Sequence, residues 1–212
     1  MNNFMRVFHF INKEHGFDDI KNSRIKIATI NKLNDPFEFY VNFTSLGEPL
    51  EEEYLDRVKD HYDKILGFLC FSEWLENPVQ WAHYADNHNG ICLEFEVPLK
   101  NLVKVEYRET PLTIESGDID WRKKFVAATE SKYKHWCYER EYRTIINLES
   151  AECIIRNGEL LFMPFSEDLV LKSVYTGLHC KLSEPEKMIL KDKGVNLFGT
   201  AKSRNSYSIV KA

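Results

Sequence analysis

The stretch Trp136-Cys137-Tyr138-Glu139-Arg140-Glu141-Tyr142-Arg143 puts two carboxylates and two guanidiniums within five residues, bracketed by aromatic rings. Read as a strand, Glu139, Glu141 and Arg143 share one face while Arg140 points away. Two acids beside an arginine can hold one carboxylate ionised. It is then poised to accept a hydrogen bond from a hydroxyl or to stabilise developing positive charge. The plain alternative is a surface salt-bridge ladder, which is worth little energetically. Such a ladder leaves the flanking Trp136, Tyr138 and Tyr142 unexplained, and both readings stay open.

Three further groups could join that chemistry. Arg6 and His9 lie in Met5-Arg6-Val7-Phe8-His9-Phe10, an alternating run that predicts a strand with Val7 and His9 on one face. A guanidinium or imidazole there can bind a phosphate or a ribose hydroxyl, or the histidine can simply rest its polar tip in solvent. Ser72, His83 and Tyr84 are polar groups beside aromatic walls, suited to holding a ring; the alternative is that Trp81 and Tyr84 are core, and for Trp81 that is the better reading. Asn34-Asp35-Pro36-Phe37-Glu38 predicts a rigid turn. Asn34 and Asp35 bond their own backbone there, Pro36 forces Asp35 out of the helical region, and Glu38 is left as a free carboxylate. His83 and His88 are five apart, whereas a helical zinc pair needs four, so no metal is expected. The chain has no Gly-rich phosphate loop, no G-x-S-x-G elbow and no H-E-x-x-H.

The elements that must position these groups follow from periodicity. Phe68 to Phe71 predicts a buried strand with Ser72 at its exit, and Pro78 opens a short helix carrying Trp81, His83 and Tyr84. Asn89-Gly90 reads as a left-handed stop before the strand Ile91 to Phe95. Strands are also expected at 25–30, 102–107, 141–146, 160–163, 169–175 and 207–210. Helices are expected at 17–22, from Glu51 to Ile65, from Trp121 to Tyr138, and from Pro185 to Lys193. Residues 111–120 read as a loop. Strands and helices in mixed order point to a single α+β domain over residues 1–212, with a mixed, mainly antiparallel sheet and about four flanking helices.

Composition limits the function classes. Of 212 residues, 43% are apolar and 29% charged, which is ordinary for a folded chain. A net charge of −5 argues against a broad nucleic-acid surface, so any nucleic-acid partner must be gripped locally. The five cysteines form no C-x-x-C pair, and no apolar run approaches membrane-spanning length. A reduced, cytoplasmic protein with no membrane partner is the expectation.

Taken together, the blocks Leu33 to Glu38, Cys70-Phe71-Ser72, Trp81 to Ala85, Gly90 to Phe95 and Trp136 to Arg143 resemble the bacterial family known as domain of unknown function 2971, across residues 5 to 180. More distantly, Val7-Phe8-His9-Phe10 followed by a short helix and a polar strand is similar to the opening of ADP-ribosyltransferases that modify DNA and RNA. That resemblance implies NAD as substrate. His9 or Arg6 would hold its ribose, Ser72 and Tyr84 would support the nicotinamide, and Glu141 or Glu139 would be the catalytic acid. A nucleic acid or protein would be the acceptor. Beside the resemblance, Trp81, His83 and Arg143 are expected among the binding residues from their place in the aromatic and charged blocks. The chain departs from that pattern in having no S-T-S triplet. Two functions are therefore expected as alternatives: an NAD-consuming transferase, as in a toxin or anti-phage effector, or a non-catalytic nucleotide- or partner-binding module.

Overall fold

The computed structural model describes residues 3–45, 48–49, 52–115, 117 and 119–212. The chain opens with β1 (Phe4–Ile11) and α1 (Lys13–Asn22), which starts where the Asn12 side chain accepts a hydrogen bond from His15 N at 2.8 Å. Ser23, at φ 51°, closes that helix in the left-handed region. β2 (Arg24–Thr29) runs into a 3₁₀ turn at Ile30–Lys32, then β3 (Val41–Ser45), β4 (Glu48–Pro49) and α2 (Glu52–Ile65) follow. Glu51, expected to open α2, lies outside the described residues. β5 (Leu66–Ser72), α3 (Pro78–Tyr84) and β6 (Ile91–Pro98) form the centre. Asn77 caps α3 by accepting from Val79 N at 2.8 Å, with Pro78 in the first turn, where its missing N–H costs nothing.

Beyond the centre come β7 (Val103–Lys104), β8 (Glu106–Arg108), β9 (Leu112–Glu115), α4 (Trp121–Thr129), β10 (Ser131–Tyr133) and β11 (Glu141–Asn147). The chain ends with β12 (Ile155–Asn157), β13 (Leu160–Pro164), β14 (Val170–Thr176), α5 (Glu184–Asp192), β15 (Asn196–Phe198), β16 (Thr200–Lys202) and β17 (Ile209–Lys211). The fold is α+β with a large, mainly antiparallel sheet.

Four local expectations need correction. The helix expected from Trp121 to Tyr138 is three elements: α4, then β10 paired in parallel with β8, then a 3₁₀ segment at Lys134–Glu139. Thr129, Ser131 and Tyr133 are weak helix formers, and pairing with β8 outweighs continuation of the helix. The loop expected at 111–120 contains β9, which pairs in parallel with β3. The strand expected at 102–107 breaks at Val105, whose N–H donates to Glu141 O at 3.0 Å. Finally, the left-handed residues after α3 are Asp86, Asn87 and His88. Gly90 serves close approach instead: a Cβ there would collide with the Ile11 carbonyl oxygen and the Ala85 backbone.

The sheet runs in the order β12-β13-β2-β5-β1-β6-β14-β15, with β11 on the other edge of β5. β11 pairs with the whole of β5, from Glu141 opposite Ser72 to Asn147 opposite Leu66. The opposite edge of β5 is shared. β2 pairs with Phe68 and Gly67 at one end, while β1 touches only at Phe8 opposite Ser72. Between these contacts β1 and β2 diverge, and the pairing gives 69–71 no strand partner on that edge among the described residues.

One face of the sheet is apolar. Val7, Ile25, Ile27, Leu69, Phe71, Leu93, Phe95 and Ile146 pack beneath Phe17 and Ile20 of α1 and Leu190 of α5. The other face carries two smaller apolar clusters. Phe8, Phe10, Trp81, Cys92 and Tyr175 form one; Ile30, Phe39, Phe68, Phe125 and Ala128 form the second. The split in the sheet opens on this face. Among the described residues no helix is long and apolar enough to cross a membrane.

Candidate functional site

A crevice of about 270 Å³ fills the gap where β1 and β2 part. β1 supplies Phe8, His9 and Phe10; β2 supplies Lys26 and Ala28; β5 supplies Phe68, Cys70, Phe71 and Ser72. Lys32, Leu33 and Asn34 edge it from the turn after β2, and Gln80 and Tyr84 come from α3. Lys132, Glu139 and Glu141 complete the lining. The opening-strand histidine and the two acids of the Trp136–Arg143 block therefore line one cavity.

His9 answers the broken ladder. Its Nδ1–H donates to the Cys70 carbonyl at 3.0 Å, in the span of β5 whose β1/β2 edge has no strand partner among the described residues. A carbonyl can only accept, so Nδ1 carries the proton and Nε2 remains an acceptor. Burial lowers the His9 pKa, with the Cys70 hydrogen bond opposing it, and the neutral ring is favoured.

The acidic end of the crevice is a buried ionic cluster. Lys132 Nζ lies 2.7 Å from Glu139 Oε2 and 3.3 Å from both Glu141 Oε2 and Glu38 Oε1. Arg143 donates through Nε to Glu141 Oε1 at 2.7 Å and through Nη2 to Glu38 Oε1 at 2.7 Å and Glu141 Oε2 at 3.1 Å. Its Nη1 donates to Thr129 O at 2.9 Å. Three carboxylates thus face two cations, and the two acids that line the crevice are pushed apart. Burial alone would raise the Glu141 pKa, but Arg143 and Lys132 outweigh it and hold the carboxyl down at about 2. For Glu139 burial dominates, reinforced by Glu141 and opposed by Lys132, and its pKa rises. Tyr84 donates its hydroxyl proton to Glu139 Oε1 and accepts from Asn34 Nδ2 at 2.7 Å. Its own pKa is raised by burial and by Glu139.

A second set of bonds fixes the backbone of Glu139. Gln80 Nε2 donates to Glu139 O at 2.6 Å and to Ser72 Oγ at 3.0 Å, and Ser72 Oγ lies 2.8 Å from the same carbonyl. Ser72 also receives Trp74 N at 2.9 Å. Tyr107 Oη accepts from Glu141 N at 2.8 Å. These contacts hold the loop before β11 so that a 3₁₀ segment and a strand present Glu139 and Glu141 to one lysine.

Several expected roles change. Glu139 is on the 3₁₀ segment and not on the strand; it joins Glu141 through Lys132 because Arg140 turns the chain at φ 46°. Arg143 is 1% exposed and spent on Glu141, Glu38 and Thr129, so it is a buried counter-ion and not a ligand-binding group. Arg6 is turned away, 3.0 Å from Glu94 Oε1. Trp81 is 0% exposed, with Nε1 donating to Leu75 O at 2.7 Å, and belongs to the core. His83 sits outside the crevice lining, its Nδ1 2.9 Å from the Tyr138 hydroxyl. Asp35 accepts from Phe37 N at 2.9 Å in the expected turn, but Asn34 reaches to Tyr84 and lines the crevice. Glu38 is not free: it is buried between Arg143 and Lys132.

Lys132 and Gln80 are the residues that sequence reasoning missed. Reading 121–138 as one helix leaves a signal that points to the lysine. Ala128, Lys132 and Trp136 recur every four residues, so a cation stands at an inward position. No local signal marks Gln80.

No family model matches the chain, and neither a curated protein nor a solved structure does.

Proposed function

We propose that the crevice holds the nicotinamide and ribose of NAD and that the chain transfers ADP-ribose from it. The observation that carries this reading is the pair of crevice acids that share Lys132, Glu139 at 2.7 Å and Glu141 at 3.3 Å, whose pKa values their surroundings push in opposite directions. Displacement breaks the bond between ribose C1′ and the nicotinamide nitrogen, and the bonding electron pair leaves with the ring and neutralises its positive charge. A new bond forms from C1′ to an acceptor oxygen. The acceptor's proton passes to the Glu139 carboxylate, whose pKa burial raises, which makes it the stronger base of the two acids. The ionised Glu141 places fixed negative charge where the oxocarbenium character of the transition state develops. The acceptor-type side chain at His9 Nε2 suits a ribose hydroxyl.

Glu139→Gln tests the assignment because it leaves two carboxylates against two cations. The cluster stays balanced and the fold intact, while the base is lost. Nicotinamide release from NAD is expected to fall by about 10²–10⁴-fold in this variant, with its thermal unfolding midpoint close to that of the parent. Unchanged release in Glu139→Gln removes Glu139 as the base. The complete engagement of Glu141 by Arg143 and Lys132 favours a second reading, a nucleotide-binding module without turnover. Thermal stabilisation by NAD or ADP-ribose with no nicotinamide released would select it.

A further inference from the structure

The crevice is electrically polar along its depth. Its acidic floor is the cluster around Glu139 and Glu141, whereas Lys26 and Lys32 are exposed lining residues contributed by β2 and the turn that follows it. Alternation along β2 explains the first: Ile25 and Ile27 are buried in the apolar face, so Lys26 and Ala28 project on the crevice side. The other lysine of the lining, Lys132, already faces three carboxylates. Neither Lys26 nor Lys32 has a carboxylate within ion-pair distance among the described residues. Two ammonium groups are thus left to a ligand, on a chain whose net charge of −5 would otherwise repel anions.

We infer that Lys26 and Lys32 hold the phosphate of a phosphorylated ribosyl donor, and so set both its orientation and the requirement for a phosphate. The inference rests on the donor reading given above. A volume of about 270 Å³ suits one ring and one sugar but not a whole dinucleotide. The glycosidic carbon then lies at the acidic end, where positive charge develops, and the phosphates lie over the two lysines. Reversal would place phosphate against Glu139 and Glu141, which like charge forbids.

The test compares NAD, nicotinamide mononucleotide and the unphosphorylated nicotinamide riboside, each followed by nicotinamide release and by thermal shift. The parent protein is expected to prefer both phosphorylated donors over the riboside by at least about tenfold in kcat/KM, the size of one charge-assisted hydrogen bond. The preference should shrink as salt rises. In the double variant Lys26→Gln/Lys32→Gln that ratio falls toward one through KM, with kcat for NAD retained; a merely structural defect would lower all three donors together. Equal use of the riboside and mononucleotide by the parent, or an unchanged ratio in the double variant, overturns the lysine assignment while leaving the donor reading standing. Failure of all three to bind or to release nicotinamide overturns both.

Discussion

The two faces of β5 and β11 solve opposite problems with the same backbone. On one face Leu69, Phe71 and Ile146 join a continuous apolar layer with Val7, Leu93 and Phe95. On the other, one residue away along each strand, Cys70, Ser72, Glu141 and Arg143 border a crevice and an ionic cluster. The apolar face gains from every contact in proportion to area removed from water and tolerates imperfect partners. The ionic face tolerates none, because a buried charge deprived of its partner costs several kcal/mol. Stability on the first face is distributed; on the second it hangs on individual atoms.

The largest expected effect follows directly. Lys132→Met keeps the length of the side chain but leaves Glu38, Glu139 and Glu141 facing Arg143 alone. A loss of about 3–5 kcal/mol in urea unfolding is expected. It should be greatest at neutral pH and smaller in acid, where protonation removes the surplus charge. On the opposite face Leu93→Ala, at a fully buried position, should cost about 2–5 kcal/mol through lost transfer energy and a cavity. That loss should not vary with pH. Equal pH profiles for the two variants would break the distinction between the faces.

The same contrast explains what could be read from the chain alone. The apolar face was legible because it obeys a period of two: Val7 against Phe8 and Phe10, Ile25 with Ile27, and Ile146 opposite in sense to Glu141 and Arg143. Glu139, Glu141, His9, Ser72 and Tyr84 also stood out as candidates by residue type and spacing, and all five line the crevice. What was not legible is how charge is neutralised. Glu38 and Arg143 are 105 positions apart and meet only in three dimensions, so the first looked free and the second available. The helical period through 121–138 marks Lys132 as inward, but its three carboxylate partners are set by β10, where pairing with β8 overrides the local pattern. Trp81 is core, as its aromatic character in a short helix suggested, because α3 packs it against Phe10 with ring centroids 5.1 Å apart.

Two buried carboxylates sharpen the comparison at the smallest scale. Asp19 of α1 belongs to the apolar side, and its Oδ2 has no hydrogen-bond partner. Burial is the main influence on it, with the Lys26 backbone hydrogen bond opposing, and its pKa is pushed up to about 7. Glu141, as deeply buried, is held at about 2 by its cations. The consequences for stability have opposite signs. Asp19 binds its proton more tightly when folded, so its contribution is complete below its ordinary pKa of 3.8 and is lost as pH rises from there through about 7. Glu141 holds its proton more weakly when folded, so its contribution is complete above 4.5 and is lost as pH falls from there through about 2. Asp19→Asn should therefore add about 1–2 kcal/mol at pH 8, where the parent must keep an unpaired charge buried, and add nothing near pH 4. Urea unfolding of parent and variant at both pH values measures the difference. A gain of equal size at the two values would mean that Asp19 acts through packing and not through its proton, and the contrast between a solitary acid and a clustered one would fail at its simplest point.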